Sequence, residues 1–376
     1  MFGVFAGIGG LERGFASVGH HTTGLVEIDP SAQAVLAHRY PGIALHGDIC
    51  ALEALPEGVD VLAGGFPCQD LSQAGRTRGI EGARSGLVGE VFRLVAEQMP
   101  RYLVLENVPF MLQLGRGRAL DVIMTALEEL GLAWAYRVVD SRAFGVPQRR
   151  RRVVIVASRT EDPRRVLFAD EAGAPAEPER APDSLCGFYW TEGVRGLGWA
   201  VDAVPTLKGG STVGVPSPPA VWCPDGRLAT PDIRDAERLQ GFPADWTLPA
   251  ERAGKASFRW KLVGNAVTVP MAAWLGTRLG RPEDFELPAV TEIEPGKSWP
   301  TSGFSEGGRR WTSALSEWPV RASLPRLGDF LEYPLRPLSA RAAKGFAGRT
   351  ERASLRFPPG FLEAVYAYAE AVSPTS

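Results

Sequence analysis

Over residues 1–158, short apolar runs alternate with amphipathic segments, the pattern of a parallel α/β sheet. Apolar, often β-branched runs predict strands at Phe2–Phe5, Thr22–Val26, Ile43–Leu45, Val59–Ala63, Tyr102–Leu105, Trp134–Val139 and Val153–Ala157. Between them, Leu87, Val91, Leu94 and Val95 recur at helical spacing, as do Leu120, Ile123, Met124, Leu127 and Leu130. Together these predict a doubly wound, mostly parallel seven-stranded sheet.

The texture changes after Ser158. Residues 160–225 are rich in Pro and Gly, lose helical periodicity and carry single aromatics such as Phe188, Tyr189, Trp190, Trp199 and Trp222. They predict a small, irregular, β-rich domain. A helical segment starts at Pro231 and reaches Gln240, and a further helix spans roughly Pro270 to Leu279. Ser339 is placed to N-cap a short helix, and Phe361–Val372 reads as another. The expected division is a catalytic domain over 1–158 completed by 261–280, a second domain over 159–260, and a C-terminal extension over 281–376.

Composition narrows the classes. The chain has 376 residues, 45% of them hydrophobic, yet no apolar run approaches the roughly 20 residues of a membrane span. Its start lacks the basic segment of a signal peptide. Cys50, Cys68, Cys186 and Cys223 show no C-x-x-C spacing, which points to reduced thiols in a cytosol and to no metal site. All the histidines, His20, His21, His38 and His46, precede residue 47, so no His-based triad or metal site is built from the later chain. Net charge is −2, but it is unevenly spread. Residues 71–160 hold 14 Arg against 8 acids, and residues 297–356 hold 11 basic against 5 acidic side chains. Such segregation suits a polyanionic partner. A genome that prefers Arg codons accounts for it equally well, since only five of the 41 basic residues are Lys.

Candidate chemistry gathers at the predicted strand ends. The first strand runs into Phe5-Ala6-Gly7-Ile8-Gly9-Gly10, a glycine turn that lets a cofactor approach the backbone near a helix N-terminus. Glu27 ends the second strand, where an acid can accept hydrogen bonds from ribose hydroxyls, and Asp48 follows the third. The fourth delivers Gly64-Gly65-Phe66-Pro67-Cys68, holding a thiol at the sheet edge where ligands bind. A glycine-punctuated basic loop with Arg76, Arg78 and Arg84 comes next, then Glu106-Asn107-Val108 after the fifth strand. Gln148-Arg149-Arg150-Arg151-Arg152 precedes the last.

In this order, and with Arg238-Leu239-Gln240-Gly241-Phe242-Pro243 and Gly264-Asn265-Ala266-Val267 following, these elements resemble the DNA (cytosine-5) methyltransferases of bacterial and phage type. The resemblance runs from residue 2 to about residue 280. It implies S-adenosylmethionine as cofactor, held by Phe5, Ala6, Gly7, Ile8, Gly9, Gly10, Leu11, Glu27, Ile28, Asp48, Ile49, Pro67, Leu87, Asn265 and Val267. It makes Cys68 the nucleophile, Glu106 the group on the base edge, Arg152 a contact to the base carbonyl and Arg150 a support for the nucleophile. Gln69, Ser72, Arg76, Arg84 and Thr206 become the expected DNA contacts, with Thr206-Leu207 resembling a Thr-Leu pair of family recognition domains. The implied partners are double-stranded DNA and a cognate restriction or defence protein, for a monomer in a bacterial cytosol or nucleoid. Two departures stand out: Gly3 occupies a position where the family often has Asp or Ser, and residues 281–376 lie beyond its core. The competing expectations are an RNA-directed member and a catalytically inactive DNA-binding paralogue; the Cys-Phe-Thr signature of RNA-directed members is absent, Cys186 being followed by Gly-Phe.

Overall fold

The computed structural model describes residues 1–67, 86–194, 196–209 and 218–372. The chain forms two units. The first comprises Met1–Phe144, Arg151–Ala174 and Val267–Ala322; the second comprises Gly145–Arg150, Pro175–Ala266 and Ser323–Ser376.

In chain order the first eight strands are β1 (Phe2–Val4), β2 (Gly24–Val26), β3 (Leu45–His46), β4 (Val61–Gly65), β5 (Tyr102–Asn107), β6 (Ala133–Asp140), β7 (Gln148–Arg149) and β8 (Arg151–Ser158). Then come β9 (Cys186–Phe188), β10 (Ala200–Val201), β11 (Val204–Pro205), β12 (Ala220–Trp222), β13 (Leu228–Thr230), β14 (Val290–Glu292), β15 (Ser302–Glu306), β16 (Arg309–Ser313) and β17 (Arg336–Pro337).

The first unit is built on a ten-stranded sheet, ordered β14-β16-β15-β6-β8-β5-β4-β1-β2-β3. All the expected strands are in it. From β5 to β3 neighbours are parallel, whereas β8 runs antiparallel to both β5 and β6. Strand alternation divides the core between the two faces. Leu62, Leu103, Leu105 and Ile155 join the cluster that receives Val91, Leu94 and Val95 from helix Leu87–Glu97 and Leu120, Ile123 and Leu127 from helix Arg118–Glu129. Val61, Ala63, Val104 and Val154 join the cluster that receives Leu11 and Phe15 from helix Gly10–Ala16 and Met271 and Leu275 from helix Val269–Gly280. Each fully buried Val, Leu, Ile, Phe or Met among them stabilises the fold by about 1.5–3 kcal/mol relative to exposure.

Beyond β6 the sheet gains β15, β16 and β14, all antiparallel. Their sequences are mostly polar, so no apolar run announces them. They are held instead by particular contacts: Trp299 packs on Trp134 and Tyr136, and Arg310 ion-pairs with Asp121 and Glu128.

The second unit contains a five-stranded sheet ordered β10-β9-β12-β13-β17, and a two-stranded pairing of β11 with β7. Its core joins Phe188 and Trp222 to Phe346 from helix Ala340–Thr350 and to Phe361, Val365 and Tyr368 from helix Phe361–Ala371. The Ser339 hydroxyl accepts from the Ala342 N–H and caps the first of these helices. Residues 281–376, expected as one extension, therefore divide between the units, with 281–322 in the first and 323–376 in the second.

Candidate active site

β1 runs into Phe5, whose φ of 52° is left-handed, and Gly7 and Gly9 follow at 56° and 85°. Glycine takes up these left-handed positions without a Cβ penalty, and the Gly9 N–H closes the turn on the Ala6 carbonyl at 2.9 Å ahead of helix Gly10–Ala16. The Gly7 N–H donates to Glu27 Oε2 at 2.7 Å and the Asp29 N–H to Glu27 Oε1 at 2.8 Å. Tyr40 buttresses the turn from below, its hydroxyl donating to the Gly9 carbonyl at 2.9 Å. A Cβ on Gly10 would collide with the Val267 carbonyl, so Val267 and the turn are in close contact.

The surroundings fit a nucleoside cofactor. The space a Cβ would enter at Gly7 is open to at least 4 Å, and Ile28 next to Glu27 is 67% exposed, an apolar surface suited to a flat base. Glu27 uses two of its roughly four acceptor sites on the backbone, which leaves capacity for ribose hydroxyls. Burial raises its pKa, against the lowering effect of the Asp29 and Gly7 N–H groups. Asp48 accepts from the Cys50 N–H at 2.9 Å and caps the short turn Ile49–Ala51. The side chains of Ile8, Leu11 and Ile49 are buried in the first unit.

At the next strand ends, β4 and β5 pair with Gly65 opposite Glu106. A Cβ on Gly65 would come within 2.8 Å of Glu106 Oε2, so glycine makes room for that carboxylate. In the antiparallel pairing of β5 and β8, Glu106 opposes Val154. Arg152 lies two residues before Val154 on the same face, a diagonal neighbour of Glu106. Its Nε meets Glu106 Oε1 at 2.7 Å, both side chains 9% exposed. Asn107 donates from Nδ2 to the Phe66 carbonyl at 3.0 Å and accepts from the Val108 N–H, fixing the backbone that leads into Pro67. Asn107 had no expected role of its own; the signal in the sequence is its position one residue past Glu106 at a strand end.

Cys68, Gln69, Ser72, Arg76 and Arg84 lie outside the described residues. The other thiols are disfavoured as nucleophiles. Burial pushes Cys186 and Cys223 up to about 11, and desolvation together with Asp48 raises Cys50.

Arg150, Thr206 and Asn265 belong to the second unit. Arg150 is fully buried and sits between β7 and β8, where it donates to the carbonyls of Leu207 at 3.0 Å, Gly264 at 3.1 Å and Ala266 at 2.7 Å. Gln148, another buried residue without an assigned role, receives the Leu207 N–H and donates to the Leu239 carbonyl and to Gln240. These two side chains tie Thr206-Leu207 to the Arg238–Gln240 and Gly264–Ala266 segments. Thr206 itself donates to the Arg149 carbonyl at 2.9 Å and is solvent-accessible, and Asn265 is exposed.

The C-5 cytosine-specific DNA methylase family matches residues 1–183. Type II methyltransferase M2.BsuMI of Bacillus subtilis (strain 168) is 46% identical over 365 residues, covering 93% of this chain and 92% of that protein. This chain belongs to the C-5 cytosine-specific DNA methylases. It is an S-adenosylmethionine-dependent DNA cytosine-5 methyltransferase. Type II methyltransferase M.MspI of Moraxella sp is 28% identical, covering 78% of this chain and 72% of its own. Among solved structures, the S. pombe Dnmt2 methyltransferase shares the fold at a TM-score of 0.52 and 16% identity, over 75% of this chain and 98% of that one. No helix among the described residues of this methyltransferase is long and apolar enough to cross a membrane, and they contain no cluster of His, Cys, Asp or Glu able to hold a metal ion.

Proposed function

We propose that this methyltransferase acts on a cytosine rotated out of double-stranded DNA, with Cys68 adding to C6 of the ring. The observation that carries the reading is the buried Glu106–Arg152 pair beside Gly65, three residues before Cys68. C5 of cytosine is a weak nucleophile, and a stacked duplex hides it, so the base must leave the stack. Addition of the thiolate at C6 breaks the ring's aromaticity and moves an electron pair toward C5 and N3. Glu106 in its protonated form donates to N3 while its other oxygen accepts from the exocyclic amine, and Arg152 donates to the ring carbonyl, so the arriving charge is stabilised where it develops. The glycine turn, Glu27, Ile28 and Val267 would hold S-adenosylmethionine, which would supply a methyl group to C5 and be left as S-adenosylhomocysteine. Loss of the C5 proton with expulsion of the Cys68 thiolate restores the aromatic ring. Arg150 positions the surrounding loops rather than touching the base.

Gln69, Ser72, Arg76 and Arg84 follow the nucleophile directly in sequence and contact the DNA backbone; Thr206 faces the bases. The relatives are Type II methyltransferases, which supports a restriction-modification setting with a cognate restriction protein in a bacterial cytoplasm; the enzyme acts as a monomer. The test is transfer of a labelled methyl group from S-adenosylmethionine to duplex DNA by wild-type and Cys68→Ala protein. Transfer by the wild type and none by the variant is expected; transfer by the variant contradicts the mechanism, and transfer to RNA in place of duplex DNA contradicts the substrate.

A further inference from the structure

Helix Ala340–Thr350 turns Ala343, Phe346, Ala347 and Thr350 into the core of the second unit, which leaves its opposite face to solvent. Arg341, Gly345, Gly348 and, just past the helix end, Arg352 fall along that face at helical spacing, with Lys344 and Arg349 flanking it. Arg341, Lys344 and Arg352 are exposed and have no acidic partner among the described residues. Elsewhere the exposed arginines are commonly paired, as Arg101 is with Glu161, Arg165 with Asp284, Arg227 with Asp225 and Arg326 with Asp183. Glu351 is the one acid between Arg341 and Arg356.

Two further observations concern the same face. A cleft of about 410 Å³ is lined by Trp190, Ser339, Arg341, Ala342, Gly345 and Arg349. Arg349 donates to the Trp190 and Glu192 carbonyls, and its charge is disfavoured by burial and by the neighbouring Arg352. The glycines have no packing reason to be there. Nothing lies within 4 Å of a Cβ built on Gly348, and on Gly345 the nearest atoms belong to the flexible end of Arg349, at 3.5 Å. Glycine inside a helix costs stability relative to alanine, so two on one exposed, cationic face suit a partner whose backbone comes close.

We propose that this face of helix Ala340–Thr350 binds the phosphate backbone of the DNA substrate, as a contact surface separate from the catalytic strand ends. The cations match a phosphate row in charge, and the glycines let it lie against the helix. Trp190, which lines the cleft, donates from its indole N–H to the Pro218 carbonyl at 2.8 Å. The inference rests on the reading of double-stranded DNA as substrate.

Duplex DNA affinity is measured across salt concentrations for the full-length wild type and for Arg341→Gln/Lys344→Gln/Arg352→Gln, with S-adenosylmethionine binding as the check on folding. Each neutralised phosphate contributes about 0.9 to the slope of log K against log salt, so the triple variant is expected to lose about 2–3 of slope and roughly ten-fold or more in affinity at 0.15 M salt. Gly345→Gln supplies an independent arm with opposite signs: a higher melting temperature and weaker DNA binding. Unchanged slope and affinity in the triple variant, while the wild type still methylates duplex DNA, overturn this surface alone. Unchanged DNA affinity in a stabilised Gly345→Gln protein does the same. A wild type that neither binds nor methylates duplex DNA overturns the substrate reading, and this proposal with it.

Discussion

Arg150 and Arg152 stand two residues apart in one basic run, yet the region around each uses its guanidinium differently. Arg152, at the start of β8 in the first unit, pairs with the Glu106 carboxylate and also donates from Nη1 to the Arg151 carbonyl at 2.8 Å. Arg150, in the second unit, faces three backbone carbonyls from two separate segments. An ion pair at a strand end keeps hydrogen-bonding capacity that a substrate can share, because carboxylate and guanidinium both have further sites. A guanidinium divided among three carbonyls fixes loops in place. The partner, and not the residue type, separates chemistry from architecture here.

The largest effect that sharpens this contrast comes from Glu106→Gln. It removes the charge while keeping the shape, and we expect kcat for methyl transfer to fall about 10²–10⁴-fold with S-adenosylmethionine affinity retained. A kcat within a few-fold of wild type would remove Glu106 from the chemistry.

The two arginines also show what the sequence made legible. Seven of the ten strands in the first unit's sheet were visible as apolar runs, and the order of the motifs pointed to the family before any geometry. The ends of the strands were not visible. Gly64, Gly65, Glu106 and Asn107 are strand residues that break the apolar pattern, since they carry function rather than packing. The reach of Arg150 to residues 207, 264 and 266 depends on chain segments more than 50 residues away, which no local pattern reports. β14–β16 were missed for a related reason, being held by Trp299 and Arg310 rather than by an apolar run. The helix Phe361–Val372 was legible in 323–376, but not the sheet it covers.

Next in size is Arg150→Ala. With three buried carbonyls orphaned, stability in denaturant titration should fall by about 3–5 kcal/mol. If this variant instead loses kcat with its stability unchanged, the assignment of Arg150 to architecture is wrong.

A smaller effect concerns a buried acid outside both regions. Glu12 is 1% exposed, neither carboxylate oxygen has a hydrogen-bond partner among the described residues, and a Cβ on Gly3 would collide with it. Burial, and to a lesser degree Glu27, raises its pKa to about 7, although its own backbone N–H and the chain N-terminus act the other way. The folded state therefore favours the protonated acid. Its contribution is fully present below the unfolded value near 4.5 and is lost as pH rises through about 7. Glu12→Gln should match the wild type in melting temperature at pH 5 and exceed it at pH 8, by up to about 3 kcal/mol of stability. Parallel pH profiles for the two proteins would show that the carboxyl is solvated or paired. The same geometry accounts for Gly3, since the Glu12 carboxylate occupies the space a side chain there would need.

The central claim is that Cys68 forms a transient bond to C6 of a flipped cytosine. Duplex DNA carrying 5-fluorocytosine at the target tests it most directly, because fluorine at C5 cannot leave as a proton does, and the covalent stage persists. With S-adenosylmethionine present, the account predicts a denaturation-resistant protein–DNA adduct that peptide mapping places on Cys68. An adduct on Cys50, Cys186 or Cys223, or no adduct from protein that methylates normal DNA, would contradict it.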